Sequence, residues 1–221
     1  MTLSHSPKIV TSGLALYLDA ANIKSYPGSG SIWNDLSGNN NHIDLINSPT
    51  FSSTDGGRIT FNGSTQYGTI ASNSSLTFSQ PTVIIACTPA GGTPIAKGRY
   101  GSYWNYGLTG ISTTSFKARN NNNDVSSATY STISNTNIFA AVWDGTNVNF
   151  YLNGTFLSQS SSFYSPVANN SQNLTIAVAQ NATGFQEYYS GSISAIWVYN
   201  RALSASEISQ NFSALRGRYR I

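Results

Sequence analysis

Hydrophobic and polar positions alternate along this chain in short runs, and glycine and asparagine turns separate the runs. Val148, Phe150 and Leu152 alternate with Asn147, Asn149 and Tyr151, which predicts a strand with one apolar face. Asp144-Gly145 and Asn153-Gly154 flank it. Both dipeptides suit type I′ turns, which need φ > 0 at two central residues. Ile193, Ala195, Trp197 and Tyr199 repeat the alternation and are expected to share a face, as are Leu14, Leu16 and Leu18. Similar patterns place strands near 43–46, 57–62, 66–71, 82–87, 93–97, 104–109, 114–119, 125–130, 137–143, 155–158 and 173–179. Short strands with turn signals every 8–15 residues predict an all-β, antiparallel sandwich.

One stretch leaves the period of two. Ile208, Phe212 and Leu215 recur at i, i+4 and i+7, so a short surface helix is predicted from about 205 to 215. Ser204 and Glu207 read as a capping box, Leu203 and Ile208 as a hydrophobic staple, and Gly217 as the C-terminal stop. The helix is expected to strap a sheet edge. Residues 1–12 then form an arm, 13–215 a single domain and 216–221 a basic tail. At 221 residues, one β domain with an ample core accounts for the length.

The ordered segments carry a resemblance. Gly13-Leu14-Ala15-Leu16-Tyr17-Leu18-Asp19-Ala20 comes first, then Trp33-Asn34-Asp35-Leu36-Ser37-Gly38-Asn39 and Ile59-Thr60-Phe61-Asn62-Gly63-Ser64. With the 143–154 and 191–208 blocks, they resemble the concanavalin A-like lectin/glucanase superfamily in its laminin G-like branch, over roughly 13–212. That resemblance implies a two-sheet jelly roll whose first and last strands are neighbours. The opening Ser4-His5-Ser6-Pro7-Lys8-Ile9-Val10 and the ending Ala214-Leu215-Arg216-Gly217-Arg218-Tyr219 are similar to the version found in tailed-bacteriophage structural proteins.

Composition and charge narrow the function classes. Only 9% of residues are charged, whereas Ser, Thr and Asn make up 80 of 221. The formal net charge is +3, part of it in Arg216, Arg218 and Arg220. No basic stripe is interleaved with aromatics, so nucleic acid is not expected as a partner. No run of about 20 apolar residues exists to cross a membrane. The first residues lack an apolar signal core, so synthesis in a cytoplasm is expected. Cys87, in Val83-Ile84-Ile85-Ala86-Cys87, reads as a buried small hydrophobe.

Catalytic chemistry finds little support. Glycoside hydrolysis needs two carboxylates about 5–9.5 Å apart. The chain has two glutamates, Glu187 and Glu207, the second committed to the capping box, and six isolated aspartates. No enzyme activity is expected. Calcium binding is common in the family, but Asn62-Gly63 and Thr65-Gln66 stand where relatives often carry acids. Asp19 and Asp35 are the remaining acids for such a site, and no metal or cofactor is predicted. His5 and His42 lack metal-ligand spacing, and Gly28-Ser29-Gly30 opens no phosphate loop.

Aromatic residues are the remaining candidates. Tyr100, Tyr103, Trp104 and Tyr106 fall within seven positions, and Tyr188 and Tyr189 form a second group beside Asn181 and Gln186. Sugars stack on exposed rings while amides bind their hydroxyls, so these six are the expected glycan contacts. The alternative is shielding of an edge. Arg216, Arg218, Tyr219, Arg220 and Ile221 are expected to dock a partner together with the amino-terminal arm, because neither end has much to bury on its own domain. The resemblance implies a non-enzymatic accessory virion protein, on the head or the tail and its fibres. Its partners would be other virion proteins, a second copy and polysaccharide. The alternative is an adhesin for host surface polysaccharide.

Overall fold

Strands form where apolar and polar positions alternate, and they assemble into two stacked antiparallel sheets. A computed structural model describes residues 7–100, 104–120, 124–133, 135–160 and 171–221. In chain order the strands are β1 Leu14–Asp19, β2 Ile32–Trp33, β3 Ile43–Ile46, β4 Thr50–Ser52, β5 Arg58–Thr60, β6 Tyr67–Ile70, β7 Thr82–Cys87, β8 Ile95–Gly98 and β9 Trp104–Thr109. They continue as β10 Ser115–Asn120, β11 Asp124–Thr129, β12 Asn137–Trp143, β13 Val148–Leu152, β14 Thr155–Ser160, β15 Leu174–Ile176, β16 Ala179–Gln180, β17 Phe185–Gln186 and β18 Ser192–Tyr199. Helix α1 spans Ala205–Tyr219.

The first sheet runs β14-β13-β12-β7-β18-β5-β4, with β1 also on β18; the second runs β11-β10-β9-β8-β15-β6-β3-β2. β1 and β18 are antiparallel neighbours, Leu14 opposite Tyr199 and Asp19 opposite Ala195, as the resemblance implied. β2, β4 and β17 are two or three residues long, too short for a period to show in the sequence.

The main core lies between the sheets. Val83, Ile85 and Cys87 of β7, Phe139 and Ala141 of β12 and Phe150 of β13 meet Ile95, Leu108, Phe116 and Ile176 of the second sheet. The central strands of the first sheet are buried on their other face too. There Ile84, Ala86, Ala140, Val142, Trp197 and Tyr199 pack under Ile208, Leu215 and Tyr219 of α1. Strands covered on both faces read as continuous hydrophobic runs, which accounts for Val83-Ile84-Ile85-Ala86-Cys87. The helix therefore covers a sheet face, not the edge that was expected.

Bulges overturn two predicted faces. One between Ile193 and Ala195 puts Ile193 in the inter-sheet core, while Ala195, Trp197 and Tyr199 face the helix. Another between Leu14 and Leu16 sends Leu14 outward while Leu16 and Leu18 point in. A bulge adds one residue and so inverts everything beyond it. The Asn153-Gly154 turn has both residues at positive φ, 50° and 76°, as type I′ requires. At Asp144-Gly145 only the glycine does. Asp144 instead accepts from the amides of Thr146 and Asn147 at 2.9 and 2.7 Å, closing an Asx-type loop.

The capping box is present as predicted: Ser204 accepts from the Glu207 amide and Glu207 accepts from the Ser204 amide. The helix, however, continues through Gly217 to Tyr219 and ends on Arg220 in the left-handed conformation, φ 58°. Gly217 is no stop, because Tyr219 is buried against the outer face of the first sheet and that packing outweighs a glycine's helix penalty of about 1 kcal/mol. The 216–221 segment is thus largely helix. Arg218 Nη1 sits 2.7 Å from Asp19 Oδ1, and Tyr219 is buried. The premise that this end buries little is corrected. Residues 1–6 of the arm lie outside the described residues; the rest of it meets the middle of the helix: the Val10 amide donates to Asn211 Oδ1 at 2.8 Å, Tyr199 Oη donates to the Val10 carbonyl at 2.9 Å, and Gln210 Nε2 donates to the Lys8 carbonyl at 2.7 Å.

Candidate functional site

The outer face of the second sheet carries the candidate site. In β10, Phe116 and Ala118 point into the core, so Lys117 and Arg119 point out. Arg119 lies opposite Gly107 of β9, and Gly107 opposite Ala96 of β8. These small neighbours leave a trough. A bulge between Lys97 and Gly98 turns Trp104 to this same face, where it packs with Ala96, Ala179 and Tyr100. The Arg119 guanidinium lies 4.4 Å from the Tyr100 ring centroid and 5.5 Å from that of Trp104, close enough for cation–π attraction.

Glu187 faces Arg119 from the loop after β17, with Oε1 at 3.4 Å from Nη2. Its Oε2 accepts from the hydroxyls of Thr93 at 2.8 Å and Thr109 at 3.1 Å, and its carbonyl accepts from the Thr93 amide at 2.9 Å. Glu187 is held at φ 51°, a left-handed conformation uncommon for a residue with a side chain. Gly92 makes room for this loop: a Cβ there would run into the Tyr188 carbonyl. Gly110, at φ 57°, packs under Lys117 at ordinary contact distance.

The result is a shallow cavity of about 320 Å³ lined by Thr109, Gly110, Lys117, Arg119, Glu187 and Tyr188, with Gly92 at its base. Arg119's side chain is only 11% exposed. Burial pulls its pKa below the usual guanidinium value and Glu187 pulls it back up, so it remains a cation at neutral pH. Its Nε and Nη1 are buried without a hydrogen-bond partner. The arrangement offers fixed donors, one fixed acceptor and the part-exposed ring of Tyr188.

The predicted aromatic contacts divide. Tyr106 and Tyr189 lie in the inter-sheet core, their hydroxyls donating to the carbonyls of Leu76 and Thr88, and Trp104 is fully buried. These three cannot stack on a sugar: inward-facing or covered ring positions are not separable by spacing alone. Tyr100 is part-exposed beneath Arg119, and Tyr188 borders the cavity. Tyr103 lies outside the described residues. Lys117 and Arg119 were missed, though strand alternation around Phe116 would have placed them together. Glu187 has no acidic neighbour at strand spacing, and its partners are two threonines and an arginine remote in sequence.

The carboxylates considered for calcium are otherwise engaged. Asp35 accepts from the amides of Tyr17, Ser37 and Asn41 at 2.8–3.0 Å. Asp19 is taken by Arg218. Asn62 Oδ1 accepts from the amides of Ser64, Thr65 and Gln66, closing that loop by hydrogen bonds. Among the described residues no group of three His, Cys, Asp or Glu could hold a metal ion. Among the described residues no helix is long and apolar enough to cross a membrane.

Comparison with solved structures gives the same architecture at low identity. Domain 4 of AbnA, a GH43 extracellular arabinanase from Geobacillus stearothermophilus, in complex with arabinotriose, is similar at TM-score 0.69 and 13% identity over 90% of this chain and 98% of that one. The binding domain of Paraclostridial Mosquitocidal Protein 1 is similar at 0.69 and 13%, over 90% and 52%. Trypanosoma rangeli sialidase in complex with sialic acid is similar at 0.69 and 16%, over 97% and 36%. The chain thus spans about half of the toxin domain and about a third of the sialidase. No curated protein matched by sequence. Residues 62–209 match a laminin G-type family model, and the chain belongs to the concanavalin A-like lectin/glucanases superfamily.

Proposed function

We propose that the chain is a non-catalytic carbohydrate-binding module, with the saccharide lying on the outer face of the second sheet. The observation that carries this reading is the cavity itself. Arg119 and Glu187 are fixed by stacking and by threonine hydroxyls, beside the part-exposed Tyr188. Such fixed donors and acceptors bind sugar hydroxyls at low entropic cost. The arabinotriose complex and the sialic acid complex among the similar structures support it. Binding is favoured over turnover because the described lining includes a single carboxylate and glycoside hydrolysis uses two. A glycan array tests it: specific binding, lost in Tyr188→Ala with the fold intact, is expected. A blank array rejects it.

We propose a tailed-phage particle as the setting, as a decoration or adhesin that holds the particle near polysaccharide. The similarity of the two terminal segments supports this, and Arg216 and Arg220 remain exposed beside Ile221 to meet a partner. Mass spectrometry of purified particles tests it, and absence of the chain from them rejects it.

A further inference from the structure

The cavity's charge is unbalanced. Among the described residues it holds two cations, Lys117 and Arg119, and one carboxylate, Glu187. Lys117 is exposed and takes part in no ion pair among the described residues. Arg119 is buried to 11% exposure, its one ion pair is long at 3.4 Å, and two of its nitrogens lack partners. A buried cation is costly unless nearby negative charge balances it, and beside the exposed Lys117 a single carboxylate leaves the described lining net positive. The guanidinium is locked on Tyr100, so presenting it to a ligand costs little further ordering. Glu187 cannot swing closer, being tied by Thr93 and Thr109 and by a left-handed backbone. Unusual backbone held by surrounding bonds is a recurrent mark of ligand sites.

We propose that this cavity selects acidic saccharides: the anionic group sits between Lys117 and Arg119, and the sugar hydroxyls reach Glu187. The inference rests on the carbohydrate-binding reading and adds the charge class of the ligand. Carboxylate and sulfate share the required chemistry, and the probes separate them.

The experiment is titration calorimetry of the full chain at low salt with three probes: an oligogalacturonate, its methyl ester, and a sulfated galactan oligosaccharide. The acid or the sulfated sugar is expected to bind at least about tenfold more tightly than the neutral ester, with that margin shrinking as salt rises. Lys117→Ala should cut the acidic affinity about fivefold and Lys117→Glu more, narrowing the margin of acid over ester by a similar factor. Lys117 is exposed, so both variants should fold; the wild-type salt dependence is a second readout that needs no variant. Equal binding of acid and ester, or an acid preference indifferent to Lys117, overturns the inference and leaves the carbohydrate-binding reading standing. Binding of none of these probes, together with a blank array, overturns both.

Discussion

Removing Arg218 should show that the chain's last turn of helix is part of the folded domain. Asp19 is 1% exposed. Its Oδ1 accepts from Arg218 Nη1 at 2.7 Å and from the Ala21 amide at 3.0 Å, and Oδ2 accepts from Tyr17 Oη at 2.8 Å. Breaking a fully buried ion pair from one side costs about 3–5 kcal/mol. Arg218 is 29% exposed and Asp19 keeps two donors, so Arg218→Ala should cost about 2–3 kcal/mol. Part of this is the lost packing of the arginine stem against Gly56. Asp19→Asn removes the charge but leaves an arginine that water can reach, and should cost about 1–2 kcal/mol. The double variant should then fall short of the sum by about 1 kcal/mol or more, because the two act through one contact. Urea unfolding followed by tryptophan fluorescence measures all three, and the Arg218→Ala loss corresponds to a fall of about 5–10 °C in midpoint. If Arg218→Ala unfolds within about 0.5 kcal/mol of the parent, or the two changes simply add, the pair holds nothing. The carboxy-terminal segment would then be a loose tail after all.

Three further outcomes are expected. Burial pushes the Cys87 thiol up to about 12, so iodoacetamide at pH 8 should label it only after unfolding; native labelling would contradict its place between the sheets. Hydrogen bonds from Arg201 hold the Glu207 carboxyl down at about 2. A depressed carboxylate adds stability that is complete above the unfolded value near 4.5 and is lost as pH falls toward 2. Both side chains are part-exposed, so Glu207→Gln should cost only about 1 kcal/mol at pH 7 and nothing near pH 2, read as midpoints at the two pH values. Gly92→Ala sets a Cβ against the Tyr188 carbonyl at φ 68°. It should cost about 2 kcal/mol or more and abolish glycan binding, and full binding by this variant would remove the 187–188 loop from the site.

Local pattern was enough to determine the elements. Alternation located β12, β13 and β18 to within a residue or so, and Ser204 with Glu207 marked the helix start. Both signals are written in neighbouring residues, by strand pleating and by the unmet amides of a first turn. The order of the segments determined the family, and family order implied the β1–β18 pairing.

Long-range contact decided what those elements face. Whether Ile193 joins Trp197 or opposes it depends on one bulge, and a bulge is set by the partner strand. Gly217 reads as a stop until Tyr219 packs against the outer face of the first sheet. Tyr106 and Tyr188 look alike as glycan contacts, yet one is sealed between sheets and the other borders a cleft. The site itself joins Thr93, Arg119 and Glu187, residues 26 and 68 positions apart. No window of sequence holds all three, because burial and charge balance belong to the surfaces that folding brings together.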